Sequence, residues 1–338
     1  MTLGTQKILS PEEIAVRAGE QHSFLHLPEP GVFAERALRL RALASGHAMG
    51  DFLRFLAELA DAQHRALSSR VALPLPTADD VSAAARAGEP LLPADGPAPW
   101  PRAAVWRESL RGLLGDLARH VADGTARAAA LRLAQASDEH LEAQAGRLLS
   151  GVMLGLDLAA APLLAAGLQL HWVRLVQQTA AAHAGGPVAA FGRIDDPTAC
   201  PCCGSPPVAA LERLGAEGAR YLACGLCAAQ WHYVRVKCTR CQSTKGISLQ
   251  SLVGADGEAQ VQPAIEAECC SECGHYLKLM HPARDNGLEP VADDLASLTL
   301  DLLVSDPEAG GGLQRHGLNL LLLFGEPEDA PPPPGRGH

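Results

Sequence analysis

The chain has 338 residues, with 28 lysines and arginines against 38 aspartates and glutamates, for a formal net charge of −10 at pH 7. That length suits two or three domains, and the acidic balance excludes a protein that attracts polyanions over its whole surface. It is 47% hydrophobic but only 4% aromatic, the composition of a soluble, helix-rich protein with a sizeable core.

Residues 1–186 read as a helical domain. Residues 1–13 lack a basic start followed by an apolar run, so no secretory signal is expected. From Val32 to Leu43 apolar residues recur at helical spacing. Gly50-Asp51 opens a second helix with Phe52, Phe55, Leu56, Leu59 and Gln63 on one side, and Asp51 is the expected N-cap. Pro74 and Pro76 end that region. Pro90, Pro93, Pro97, Pro99 and Pro101 mark a loop that cannot be helical. Trp106, Leu110, Leu113, Leu114 and Leu117 define the next apolar stripe. Ser137-Asp138-Glu139-His140 opens a helix ahead of Leu141 and Leu148. The apolar stretch 152–176 belongs at the centre of a bundle. Its most membrane-like part, 158–173, holds Pro162, Gln169 and His171 and is shorter than the ~20 residues a span needs. It reads as a buried core helix, so no membrane span is expected.

Gly185-Gly186-Pro187 breaks the helical pattern, and all three tyrosines lie beyond it. Residues 231–236 read as a strand by their β-branched and aromatic content. Residues 208–222 suit a hairpin around Gly215 to Gly218, and 247–253 with 258–265 suit a second around Gly254 to Gly257. After Pro290 a helix returns, from Val291 to about Val304. Asp293, Asp294 and Asp301 on it read as a solvated helix start rather than an acid/base pair. Residues 327–338, with four consecutive prolines, read as a disordered tail.

All ten cysteines lie between Cys200 and Cys273, and eight form Cys-x-x-Cys pairs: Cys200/Cys203, Cys224/Cys227, Cys238/Cys241 and Cys270/Cys273. Two intervening residues place both sulfurs on one tight turn. Two such turns make a tetrahedral four-thiolate site, which suits zinc or a single iron. Gaps of 20, 10 and 28 residues separate successive pairs. The outer gaps can each hold a hairpin and the short one suits a link, so the expected pairing is serial: the first two turns form one site, the last two another. Without export the compartment is a reducing cytoplasm, where paired cysteines are metal ligands more often than disulfides. Closed four-thiolate sites have no open position for catalysis and read first as staples for a region short of core. Glycines after Cys203 and Cys273, and inside the Cys224 pair, suit the left-handed turns such sites use. Cys202 and Cys269 fall outside the spacing and read as free thiols, and His232 as a strand histidine rather than a ligand. No phosphate-cradling loop, nucleophile elbow or zinc-protease helix is present in the sequence. Between Pro187 and Pro282 there are eight lysines and arginines against nine aspartates and glutamates, which argues against nucleic-acid binding.

The cysteine region resembles the formate dehydrogenase accessory protein family, the FdhE type. The residues that carry the resemblance are Cys200-Pro201-Cys202-Cys203-Gly204-Ser205, Arg220-Tyr221-Leu222-Ala223-Cys224, Cys227, Trp231-His232 and Val234-Arg235-Val236-Lys237-Cys238-Thr239-Arg240-Cys241. Ala267-Glu268, Cys270, Cys273, Tyr276-Leu277-Lys278 and residues 291–298 continue it. Weaker echoes, such as Gly50-Asp51-Phe52-Leu53-Arg54-Phe55, lie in the helical part. Leu320 and Gly325 stand where that family would be expected to have prolines.

The resemblance implies a cytoplasmic assembly factor, not an enzyme: a chaperone-like protein needed for active formate dehydrogenase, which binds the catalytic subunit before export. It also implies that the two sites look like rubredoxin sites and hold iron, with zinc as the alternative. The expected fold class is α+β. A helical domain (1–186) precedes two tandem rubredoxin or zinc-ribbon-like metal modules (187–232 and 233–284), a C-terminal helical segment (285–326) and the tail. Cys200, Cys203, Cys224, Cys227, Cys238, Cys241, Cys270 and Cys273 are the expected ligands. Tyr221, Trp231 and Arg235 are residue types that anchor interfaces, although the first two can equally pack beneath the metal turns. Rival readings are a rubredoxin-like redox helper that passes electrons and a nucleic-acid-binding zinc ribbon.

Overall fold

The computed structural model describes residues 23–122, 124–213, 219–252, 263–308, 311–317 and 319–322. The expected leaderless start (1–13), the two hairpin turns and the proline-rich tail lie outside the described residues. Within them the chain forms a helical N-terminal body and a mixed sheet with two C-terminal helices, the α+β class expected.

The first strand, β1 (Leu25–His26), precedes seven helices: α1 (Val32–Leu43), α2 (Gly50–Leu67), α3 (Ala78–Ala87), α4 (Val105–His120), α5 (Thr125–Ala134), α6 (Asp138–Leu149) and α7 (Ala161–Ala182). The α4 stripe buries Trp106, Leu110, Leu113, Leu114 and Leu117 as its spacing requires. The α2 stripe is rotated from the expected face. Leu53, Leu56 and Leu59 are its centre, with Phe52 and Phe55 half-buried at its margin. Asp51 does not cap this helix. Met49 holds the N-cap position, and Asp51 sits exposed in the first turn, accepting a hydrogen bond from Arg54 at 2.6 Å. The helix starts at Gly50, where a Cβ would come within 2.6 Å of the Ala44 carbonyl oxygen. Ser137 does cap α6, accepting from the His140 N–H.

Helix α3 was not expected, although its start signal is written in the chain. Thr77 and Asp80 bond each other's backbone N–H groups in a capping box. The helix ends on Gly88, whose φ of +65° lies in the left-handed region. Helix α7 is buried from Leu163 to Val176 and packs against α2, α4 and α6. This is the core helix read from the sequence, but the expected stretch began too early: the helix starts at Ala161, and Val152, Leu154 and Leu158 before it are exposed. Among the described residues no helix is long and apolar enough to cross a membrane.

Beyond α7 run β2 (Pro207–Glu212), β3 (Arg220–Cys224), β4 (Gln230–His232), β5 (Ile247–Gln250), β6 (Ile265–Cys270) and β7 (His275–Met280). Helices α8 (Pro290–Ala296) and α9 (Leu298–Ser305) and the short β8 (Gln314–Arg315) follow. The strands form one sheet in the order β1-β4-β3-β2-β7-β6-β5, with β8 also on β7. The first expected hairpin is present as the antiparallel pair β2 with β3, and β5 pairs antiparallel with β6, while most of the return strand expected over 258–265 lies outside the described residues. The second hairpin's return strand begins at Ile265, where the expected one ended. Strand β7, unforeseen, joins the two halves. It pairs antiparallel with β6 along its length and parallel with β2 at Ala210↔Leu279 and Leu211↔Met280. The strand expected over 231–236 stops at His232, and Val236 takes a φ of +52°.

One hydrophobic cluster runs from Phe33 in α1 through α2, α4 and α7 into Cys200, Cys203, Val208, Leu222, Cys224, Cys227 and Trp231. The first cysteine module is therefore continuous with the helical core. A separate small cluster of Ala267, Cys269, Tyr276, Leu300 and Val304 lies under the second module.

Candidate metal centres

Each Cys-x-x-Cys begins the same backbone turn. The N–H four residues after the first cysteine bonds that cysteine's carbonyl: Gly204 to Cys200 at 2.8 Å, Ala228 to Cys224 at 3.2 Å, Gln242 to Cys238 at 3.1 Å and Gly274 to Cys270 at 2.9 Å. All four of these closing residues are left-handed, with φ of 73°, 60°, 61° and 67°. The glycine signal was thus half of the pattern, since Ala228 and Gln242 occupy the same position without its freedom. Gly225, inside the second pair, serves a different purpose. A Cβ there would sit 3.2 Å from the Val208 Cβ, so it permits close packing rather than a left-handed turn.

The turns meet in two groups. Cys200, Cys203, Cys224 and Cys227 converge, as do Cys238, Cys241, Cys270 and Cys273, with all sulfurs of each group within 4.8 Å of one another. Neighbouring sulfurs lie 3.5 Å (Cys200–Cys227) and 3.4 Å (Cys203–Cys224) apart in the first group. In the second they lie 3.7 Å (Cys238–Cys273) and 3.8 Å (Cys241–Cys270) apart. A tetrahedron with metal–sulfur bonds of ~2.3 Å has an edge of about 3.8 Å, whereas a disulfide needs about 2.05 Å. Backbone N–H groups point at the sulfurs, from Leu226 and Cys227 to Cys224 Sγ at 3.4 and 3.3 Å, and from Arg240 to Cys238 Sγ at 3.3 Å. Burial pushes the thiols of Cys224 and Cys227 well up. Only a bound cation offsets the cost of ionising several of them together. The donor set fits zinc or a single iron at both positions.

The two groups differ in setting. All four sulfur-bearing residues of the first are buried, while in the second Cys241 is exposed and Cys273 half-exposed. The helical body grips the first group. Gln169 on α7 donates to the Gly225 carbonyl at 2.7 Å, and its own amide oxygen accepts from Gln63 at 3.2 Å. Arg36 reaches that oxygen at 3.4 Å and pairs with Glu289 at 3.0 Å. From the other side the proline-rich loop pairs with the first turn, Leu92 and Ala94 donating to the carbonyls of Cys202 and Cys203 at 2.9 Å each. In the sequence Gln169 is only a polar interruption of an apolar run. Nothing in its spacing shows that it reaches a loop 56 residues away.

Cys202 and Cys269 are buried and belong to neither group. His232 is half-buried on β4, edge-on to Tyr221, and also lies outside both groups. Of the three residues expected at an interface, two face inward. Tyr221 donates to the Ser23 carbonyl at 2.7 Å, Trp231 donates to the Pro197 carbonyl at 3.0 Å, and both are buried. Arg235 is on the surface, paired with Glu212 at 3.1 Å. Asp293, Asp294 and Asp301 correct the expectation of a solvated helix start, since all three are buried. Lys278, fully covered beneath them on β7, pairs with Asp294 at 3.2 Å and Asp301 at 2.5 Å. Arg315 completes the network against Asp294.

Comparison with known proteins accounts for nearly the whole described chain. The family model described as FdhE, N-terminal, matches residues 22–185, that of the FdhE central domain 199–235, and that of the FdhE C-terminal domain 236–322. The protein is 37% identical to the Protein FdhE homolog of Cronobacter sakazakii over 303 residues, 88% of this chain and 90% of that one. It is 35% identical to the Protein FdhE homolog of Pseudomonas aeruginosa over 326 residues, 95% of this chain and 99% of that one. The crystal structure of the FdhE protein from Pseudomonas aeruginosa superposes with a TM-score of 0.74 at 35% identity, covering 90% of this chain and all of that one. With that agreement in sequence and in fold, the chain belongs to the FdhE family.

Proposed function

We propose that this protein is a formate dehydrogenase accessory factor that acts in the cytoplasm and binds the enzyme's catalytic subunit before export. Its membership of the FdhE family along nearly its whole described length carries this reading. The eight cysteines Cys200, Cys203, Cys224, Cys227, Cys238, Cys241, Cys270 and Cys273 hold two metal ions, iron in preference to zinc on the family resemblance. Bound metal cross-links the turns, and iron would add a one-electron couple. The chain acts by binding rather than by catalysis, because its convergent groups are closed thiol tetrads with no open coordination position.

The more exposed second tetrad is the better placed of the two to meet a partner. Arg235, on the segment leading into it, is an accessible guanidinium of the kind that anchors interfaces. The test is capture of the catalytic subunit from cells by the full chain, comparing wild type with the Cys238→Ser/Cys241→Ser double variant. The variant is expected to lose one metal per chain, to capture less subunit and to lower formate dehydrogenase activity. A variant that lost the metal but bound and supported activity as wild type would move the contact to the helical body.

A further inference from the structure

Four cationic side chains, Arg36, Arg174, Arg220 and Lys278, are among the buried residues, with 1–3% of their surface exposed. Three of them have a buried carboxylate: Arg36 has Glu289, Arg220 has Glu268, and Lys278 has Asp294 and Asp301. Arg174 on α7 has none among the described residues. It donates to the Ala66 carbonyl at 2.6 Å and to Ser109 Oγ at 3.2 Å, and its Nε is buried without a partner. The Ala66 carbonyl, in the last turn of α2, supplies only part of a negative charge. Those two bonds leave three of the five guanidinium donors unused. Burial lowers the Arg174 pKa and no neighbouring carboxylate raises it, yet a guanidinium stays charged. A buried charge left unpaired is costly.

Arg174 forms part of the wall of a cleft of about 340 Å³ between α2, α4 and α7, with Ser69, Val71, Ser109 and Gly112. Arg65 and Asp116 also line it but pair with each other at 2.6 Å, and Asp116 is further held by Arg119 at 2.7 Å. His171, one turn before Arg174, is pushed down to about 4 by burial and adds no charge at neutral pH. Arg119 lies outside the lining and is exposed to solvent, so of the groups that line the cleft Arg65 and Asp116 cancel each other and Arg174 alone is left unmatched. That favours a monoanion over phosphate. Ala62, Ala66, Val71 and Leu113 supply apolar surface beside it.

We propose that this cleft is a binding site for a small monocarboxylate, whose two oxygens meet the free donors of Arg174 in the planar geometry that guanidinium and carboxylate share. The site uses none of the cysteines and no partner protein, so it stands or falls independently of the function proposed above.

The test is equilibrium dialysis of the purified full-length protein against radiolabelled acetate, with unlabelled formate, inorganic phosphate and chloride as competitors at constant ionic strength. We expect saturable binding of one acetate per chain, competed by formate but not by chloride or by phosphate at the same concentration. Arg174→Met should weaken binding at least tenfold. Gly112→Leu should do the same by filling the cleft. A Cβ at Gly112 meets nothing within 4 Å, and leucine is the better helix former, so this variant keeps the fold even if Arg174→Met does not. Absence of saturable acetate or formate binding to wild type, equal competition by chloride, or undiminished binding by Gly112→Leu would each overturn the proposal.

Discussion

At the residue scale, the closing position of each cysteine turn decides how well that turn is made. Gly204 and Gly274 adopt positive φ at no steric cost, while Ala228 and Gln242 adopt it against their Cβ atoms. The left-handed conformation costs a non-glycine residue about 1–2 kcal/mol, part of which glycine returns as lost chain entropy. Ala228→Gly and Gln242→Gly are therefore expected to stabilise the metal-loaded protein by roughly 0.5–1 kcal/mol each. Urea denaturation with metal present checks this, and a loss of stability would show that the Cβ atoms pack favourably enough to outweigh the strain. The grouping of eight cysteines into two tetrads was legible in the sequence, because their spacing is local and four sulfurs on two turns have few ways to converge. The turn was legible only where glycine occurs. Gln169 and Arg36 were not, since a polar residue on an apolar face gives no sign of a partner distant in sequence.

At the element scale, β7 is the strand that the sequence reading lacked and the one that unites the sheet. Its residues Tyr276, Leu277, Leu279 and Met280 are buried, but so is Lys278 between them. A lysine and a preceding histidine blur the period-2 pattern by which strands are found. Lys278 is legible only with α8 and α9 in place, because its charge is matched by Asp294 and Asp301 across the sheet. The same pairing explains why those aspartates are buried rather than solvated. An acidic helix start looks solvated until the buried cation beneath it is known. Burial pushes the Asp294 carboxyl up, but Lys278 and Arg315, with hydrogen bonds from Arg315 and Asn319, more than offset this and hold it below the ordinary carboxylate range. Its contribution to stability is thus present above the unfolded value near pH 4 and lost as pH falls through the lower folded one. Lys278→Met should cost about 3–5 kcal/mol at neutral pH by leaving two buried carboxylates with a single cation, Arg315, between them. In that variant the Asp294 pKa rises above its unfolded value, so acid relieves the defect. The stability gap between variant and wild type should narrow between pH 7 and pH 5 in urea titrations. A gap that stayed constant would mean that Arg315 alone keeps the carboxylates ionised.

At the scale of the whole molecule, the two thiol tetrads are set differently in the core, and the difference predicts how the protein comes apart. The serial spacing suggested two equivalent modules appended to an independent bundle. Yet the hydrophobic cluster of the helices continues through Cys200, Cys203, Cys224 and Cys227. Gln169 ties α7 to the Gly225 carbonyl, and the proline-rich loop is hydrogen-bonded to the first turn. Among the described residues the second tetrad has only the small cluster beneath it, and Cys241 lies at the surface. Cys224→Ser/Cys227→Ser should therefore disturb the helices as well as the first hairpin, because losing the cross-link opens a face that α7 packs against. Cys238→Ser/Cys241→Ser should loosen β5 and β6 while leaving α1, α2, α4 and α7 as protected as in wild type. Hydrogen exchange on the two double variants reads both outcomes at once. If both variants leave the helices equally protected, the bundle is self-sufficient and the shared core contributes little to it. If both expose the helices, the parallel pairing of β2 with β7 carries the coupling through the sheet, and the tetrads act as one unit. The intermediate pattern, with the first tetrad coupled to the bundle and the second released from it, is what the burial and the hydrogen bonds of the two sites require.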